Sequence, residues 1–193
     1  APRTFFEYGR KNLFGKNRSF NVFGSVSLHL QGRDAAAGTA DLTEYRVLGT
    51  YREPRLLNTA TDGLVTATLE QQIRTSFDFR RLSATVQAAQ RVNRAVSVTE
   101  AYAIQRTELL AVKVSADDPT FPLIGQLFSR EPLRLSSFSS SVVRDTRNDA
   151  VNPTSGAYLS VNGQLAARAI GSQVGYAKSF ITAQTFRAVP GSS

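Results

Sequence analysis

Few residues in this sequence could carry chemistry. Its 193 residues include no Cys, Met or Trp and a single histidine, His29. Thiolate zinc sites, Cys nucleophiles, disulfide scaffolds and c-type haem attachment are therefore excluded. His29 shares a phase with Ser25, Ser27 and Gln31, so it reads as a hydrogen-bonding residue on a polar strand face rather than as a metal ligand. The carboxylates Glu70, Asp78 and Glu100 fall on different expected strands without evident convergence, which leaves paired-carboxylate hydrolysis unsupported. Asp117-Asp118 and Asp145-x-x-x-Asp149 have the outline of a calcium loop. Neither follows D-x-[DN]-x-[DN]-G, so both read as loop carboxylates. The glycine-bearing turns match no phosphate-binding spacing. Arg144, Asp145 and Arg147 lie close enough to form a local ion pair that fixes a turn. The expectation is a protein without catalytic residue, cofactor or metal.

Basic charge is the other chemical asset. The formal net charge is +8 and the pI about 10.3, which invites a nucleic-acid or anionic-membrane reading. A nucleic-acid footprint would gather Lys and Arg on one face among aromatics. Instead Arg46, Arg52, Arg74, Arg81 and Arg106 are spread along the chain. Several alternate with Thr, Gln and Glu, a pattern suited to a water-filled lumen lined by positive charge. Arg46, Arg52, Arg74, Arg81, Ser160, Asn162 and Gln164 are the lumen-facing candidates, and no nucleic-acid partner is expected.

The elements that must position these residues show a period of two. In 64–74, Val65, Ala67, Leu69, Gln71 and Ile73 alternate with Thr66, Thr68, Glu70, Gln72 and Arg74. In 157–165, Leu159, Val161 and Leu165 alternate with Tyr158, Ser160, Asn162 and Gln164. Residues 96–106 carry Glu100 on an otherwise apolar phase, and 133–144 change phase around Ser136-Ser137, where a bulge is expected. Turn signals separate nine strands, about 5–14, 19–31, 43–53, 63–74, 77–91, 95–108, 133–145, 156–168 and 173–187. No helix pattern is evident, and no run approaches the ~18 apolar residues of a membrane helix.

Many of these strands reach ten or more residues, whereas globular strands have ~5–6 and a tilted bilayer-spanning strand needs ~9–11. The polar phase is rich in Ser, Thr, Asn, Gln and Arg; the apolar phase is Val, Leu, Ala and Tyr. That combination predicts an all-β, antiparallel transmembrane β-barrel with lipid outside and water inside, against the competing soluble β-sandwich. The turns near Gly15, Asn93 and Asn152 are compact, and 109–132 reads as a large loop at the opposite end. The short connection after Arg74 fits this alternation less well.

The stretch Arg144-Asp145-Thr146-Arg147 through Pro153-Thr154-Ser155-Gly156 and on to Leu159 resembles the D-T-R…P-T-x-G segment of the BamA/TamA-type outer-membrane assembly proteins, the bacterial surface antigen family. Asn12-Leu13-Phe14-Gly15 is similar to that family's N-L-F-G strand-turn element, and 176–190 to the strand after the D-T-R hairpin. Order and spacing agree along nearly the whole chain. The resemblance implies a sixteen-stranded barrel preceded by periplasmic domains that receive client polypeptides. By it the chain begins inside the family's second strand and ends after its tenth. The first strand, which forms the family's lateral gate with the last, and the later V-R-G-F/Y loop both lie outside it. Residues 1–193 are thus expected to be a partial barrel domain.

The function so implied is outer-membrane protein insertion or translocation, by strand templating at a lateral seam, in a Gram-negative-type bacterium. The expected partners are outer-membrane lipid, client outer-membrane or secreted polypeptides, and accessory assembly proteins. The alternative is a passive or anion-preferring pore selected by lumen arginines.

Overall fold

The computed structural model describes residues 2–28, 43–74, 77–112 and 132–188. Nine strands form one antiparallel sheet in strict sequence order: β1 (Arg3–Leu13), β2 (Arg18–Leu28), β3 (Thr43–Glu53), β4 (Thr61–Ile73), β5 (Phe77–Arg91), β6 (Val96–Val112), β7 (Leu133–Asp145), β8 (Gly156–Ala166) and β9 (Tyr176–Phe186). Two short 3-10 turns, Leu56–Asn58 and Arg168–Ile170, complete the regular structure. Strands of 11 to 17 residues have the length that a tilted bilayer crossing requires. Among the described residues no helix is long and apolar enough to cross a membrane.

Cross-strand pairing sorts the side chains onto two faces. On one lie Val47, Leu69, Leu82 and, two residues along each strand, Gly49, Ala67, Ala84 and Ile104. The register continues through Val98, Val142, Val161 and Ile181. On the other face lie Arg46, Glu70, Arg81 and Thr107, and farther round Ser141, Asn162 and Phe180.

Burial runs opposite to the rule for soluble proteins. Val65, Ala67 and Leu69 are exposed, whereas Thr66 and Thr68 between them are half-buried and Glu70 is buried. Phe79 and Ala166 are the only buried apolar residues among those described, against eight buried polar or charged ones. The strong contacts between strands join sequence neighbours, with no second sheet packed on either face, which removes the sandwich alternative. A single sheet shelters one face only by curling toward it. The sheet therefore closes around its polar face and presents the apolar one outward, as a barrel wall does.

The strand bounds expected from sequence are met closely, with three departures. β6 runs on to Val112, and β9 starts at Tyr176 because the 3-10 turn and a left-handed Gly171 intervene. The third concerns Ser136-Ser137, where the β6–β7 register is continuous from Leu133 to Arg144 with no bulge. Ser136 keeps to the apolar face, opposite Ile104, and is only 1% exposed. The 168–171 turn lies over that spot: Tyr102 Oη donates to Ile170 O at 2.9 Å, and a side chain on Gly171 would meet Ser136 Oγ at 3.4 Å. A small residue is needed beneath the turn, which explains the gap in the apolar pattern. The register shifts that do occur are at Lys11/Leu13 and Asp78/Phe79.

Four connections, 14–17, 54–60, 92–95 and 146–155, share one end of the sheet, here the turn end; 74–76 and 167–175 lie at the other, the loop end. His29, Asp117, Asp118 and most of 109–132 fall outside the described residues.

Candidate functional site

The D-T-R hairpin between β7 and β8 is the most densely bonded feature of the turn end. Asp145 closes β7, and its carboxylate receives Arg147 twice through the side chain: Nε to Oδ1 at 2.9 Å and Nη2 to Oδ2 at 2.7 Å. The Arg147 backbone N–H adds a third bond to Oδ1 at 3.0 Å. The bidentate fork is the geometry for which guanidinium is suited. The same guanidinium lies 4.8 Å from the centroid of the Tyr158 ring, and Tyr158 is the cross-strand partner of Asp145. Arg147 holds the Asp145 carboxyl down to about 2, mainly through those side-chain bonds.

Around this pair each conserved-type position has a mechanical task. Thr146 exchanges bonds with Ala157: its N–H reaches Ala157 O at 2.8 Å, and its Oγ1 accepts from Ala157 N at 3.0 Å. Asn148 Oδ1 accepts from Thr154 N and Ser155 N, both at 3.0 Å, while its Nδ2 donates to Thr154 Oγ1 at 2.8 Å. Asp149 Oδ1 caps the N–H groups of Val151 and Asn152, which keeps its carboxyl below the usual range. Pro153 biases Asn152 away from helical conformations. Gly156 has φ of 104°, and a β-carbon there would lie 2.8 Å from Arg147 Cα. Only glycine fits.

Arg144 takes no part in this cluster. It pairs with Val96 and Leu159 on the apolar face, because successive residues of a strand point to opposite sides. The ion pair expected among Arg144, Asp145 and Arg147 is therefore Asp145–Arg147 alone.

The N-L-F-G element forms a tight reversal between β1 and β2. Asn12, Phe14 and Gly15 all have left-handed φ, at 56°, 56° and 68°. Asn12 sits at the register shift before Leu13 and accepts the Asn17 N–H on Oδ1 at 3.0 Å. Gly15 N and Lys16 N donate back to Asn12 O and Leu13 O.

On the polar face the strands assemble a charged row that sequence reasoning missed. Glu70, 6% exposed, sits between Arg46 and Arg81, its direct cross-strand neighbours. Arg81 Nη1 donates to Glu70 Oε1 at 3.1 Å, Gln72 Nε2 donates to Oε2 at 3.2 Å, and Arg46 Nε is 3.8 Å away. Arg81 also lies 4.9 Å over the Phe79 ring. Arg52 pairs with Asp62 at 2.7 Å, and Arg74 bonds Gln72. A recess of about 620 Å³ opens beside this row, lined by Arg3, Arg46, Arg74, Glu44 and Glu70 among others. The signal that could have found the row was the short 74–76 connection, about which Glu70 and Arg81 are mirror positions. Farther round, Asn162 bonds Ser160 at 3.0 Å and Gln164 bonds Ser137 at 3.0 Å on the same face.

The three acids considered for hydrolysis do not meet. Glu70 is on the polar face, whereas Glu100 is on the apolar face opposite Ala88 and Ser140. Asp78 is buried at the loop end beside the register shift. Glu100 accepts a 2.7 Å bond from Ser140 Oγ. Among the described residues no group of three potential metal ligands exists.

A long-stranded open sheet with an apolar exterior, a polar sheltered face and hairpins stitched at one end defines a segment of an outer-membrane-type β-barrel. Residues 12–192 match the Omp85 superfamily domain. The chain belongs to that superfamily, whose barrels serve protein insertion and assembly in the outer membrane. Among solved structures it is similar to the crystal structure of BamA from Haemophilus ducreyi lacking POTRA domains 1–3, with a TM-score of 0.56 and 14% identity over 88% of this chain. It spans 32% of that chain. No curated protein matches.

Proposed function

We propose that this chain is a wall segment of an outer-membrane insertion or translocation factor in a Gram-negative-type bacterium, with its turn end toward the periplasm. The match of residues 12–192 to the Omp85 superfamily domain carries the reading. The exposed apolar face supports membrane residence, and the turn-end position of the stitched hairpins supports the orientation, since barrels of this class keep short turns on the periplasmic side. The whole protein would act without a catalytic group. Incoming strands would pair by backbone hydrogen bonds at a seam elsewhere in the barrel, in the manner of β-augmentation, and β1–β9 would hold the wall rigid around a wet interior. Its partners would be outer-membrane lipid, client outer-membrane or secreted polypeptides, and accessory assembly proteins.

Depletion of the full-length protein is the test. Insertion activity predicts broad loss of folded outer-membrane proteins. Normal assembly with reduced solute uptake would refute it and favour a passive pore. The anion-preferring version of that pore gains little from the polar face, where Arg46 and Arg81 share Glu70, and Arg52 is matched by Asp62.

A further inference from the structure

A basic and apolar notch lies on the outward face at the turn end, away from the D-T-R hairpin. It has a volume of about 470 Å³ between the β1–β2 turn, the 54–60 connection and the flank of β4 and β5. Its wall is apolar, with Val65 and Val86 opposite each other and exposed, and Leu56 resting over Gly63, where a β-carbon would lie 3.5 Å from Leu56 Cδ1. Its mouth is basic: Lys16, Arg18 and Arg55 line it. Arg18 is engaged by Glu53, which also accepts from Tyr51 Oη at 2.6 Å. Lys16 and Arg55 are exposed and make no ion pair among the described residues, so the mouth carries unbalanced positive charge.

The connection that builds one side of the notch is strained. Arg55, Leu57 and Asn58 hold φ of 56°, 53° and 62°, a region that leucine and arginine seldom occupy. Bonds from Asn58 N to Arg55 O, and from Thr59 N and Oγ1 to Leu56 O, fix it there. The result is a leucine, Leu57, that is 87% exposed beside two cations. An apolar tip flanked by Lys and Arg suits the boundary between acyl chains and headgroups, not bulk water.

We propose that this notch seats one anionic phospholipid of the periplasmic leaflet, its phosphate between Lys16 and Arg55 and an acyl chain along Val65 and Val86. The proposal rests on the membrane orientation given above. Excess positive charge favours an anionic over a zwitterionic headgroup, and the apolar wall sets a lipid apart from a free anion.

The full-length protein is reconstituted in phosphatidylcholine vesicles holding a minor fraction of phosphatidylglycerol, extracted gently, and its retained lipids are counted by native mass spectrometry. The wild type is expected to enrich phosphatidylglycerol. Lys16→Gln/Arg55→Gln is expected to cut that enrichment about 30-fold, from ~1 kcal/mol for each basic residue near an anionic surface. Arg91→Gln/Arg94→Gln removes equal charge from another turn at the same end and should leave enrichment unchanged. Enrichment in the Lys16/Arg55 variant within twofold of wild type overturns the site, as does an equal fall in the control. Displacement of the retained lipid by inorganic phosphate would mean a free-anion site and also overturns it. Protein that does not associate with vesicles at all refutes the membrane reading itself, whereas vesicle-bound protein without enrichment refutes only the lipid site.

Discussion

Replacing Val161 by arginine puts the assignment of the two faces at risk. Val161 is the middle residue of β8, with Val142 and Ile181 directly beside it on the apolar face. If that face meets hydrocarbon, Val161 lies near the midplane, where an arginine on a barrel exterior costs ~2–4 kcal/mol. Asn162, one residue on, faces Ser141 and Phe180 on the polar side. Asn162→Arg removes one side-chain hydrogen bond to Ser160, about 1 kcal/mol, and leaves the new guanidinium in water. The expected difference between the two variants is therefore ~1–3 kcal/mol, with Val161→Arg the worse. The assay is reversible urea unfolding of the full-length protein in phospholipid vesicles, followed by circular dichroism because this chain has no tryptophan. A Val161→Arg cost equal to or below that of Asn162→Arg refutes the assignment. An effect within ~0.5 kcal/mol for both is what a water-bathed surface would show, and refutes it equally.

Gly156→Ala forces a β-carbon against Thr146 O and Arg147 Cα at a φ of 104°; the expected cost is ~1–3 kcal/mol, read in the same unfolding assay. Glu70→Gln leaves Arg81 and Arg46 without their shared acid. Because both arginines are more than a third exposed, the loss is expected at about 1–2 kcal/mol rather than the larger figure for a fully buried pair. Asp145 has a folded-state carboxyl held at about 2 by Arg147, below the unfolded ~3.9. Its stabilisation is present above the unfolded value and is lost as pH falls through ~4 toward 2. Protease nicking of the 146–155 hairpin should rise over that window in the wild type and be high at all pH values in Arg147→Gln.

Alternation made the strands legible. In β4 and β8 every second residue is apolar without interruption, and the expected and observed bounds agree within two residues. The D-T-R hairpin was legible because its bonds are local, all within eleven residues of sequence. What the residues concealed was non-local. Ser136 breaks the apolar phase because a turn more than thirty residues downstream lies on it. Glu70 is held by arginines on two neighbouring strands, and strand register is not written in either strand alone. Arg144 was grouped with Asp145 by adjacency, although pleating sends adjacent residues to opposite faces.

Each strand of this sheet hydrogen-bonds only to the strands before and after it in the chain. No segment must thread past another, so the wall can be extended one hairpin at a time from any hairpin already formed. An error is correspondingly graded. A slip of one residue at any pairing would turn every later side chain inside out, placing Arg46-type residues in lipid and Val161-type residues in water. The tightly bonded reversals at 14–17 and 146–155 serve, in this light, as counting devices: they set the first and the seventh pairings before the faces have a membrane to tell them apart.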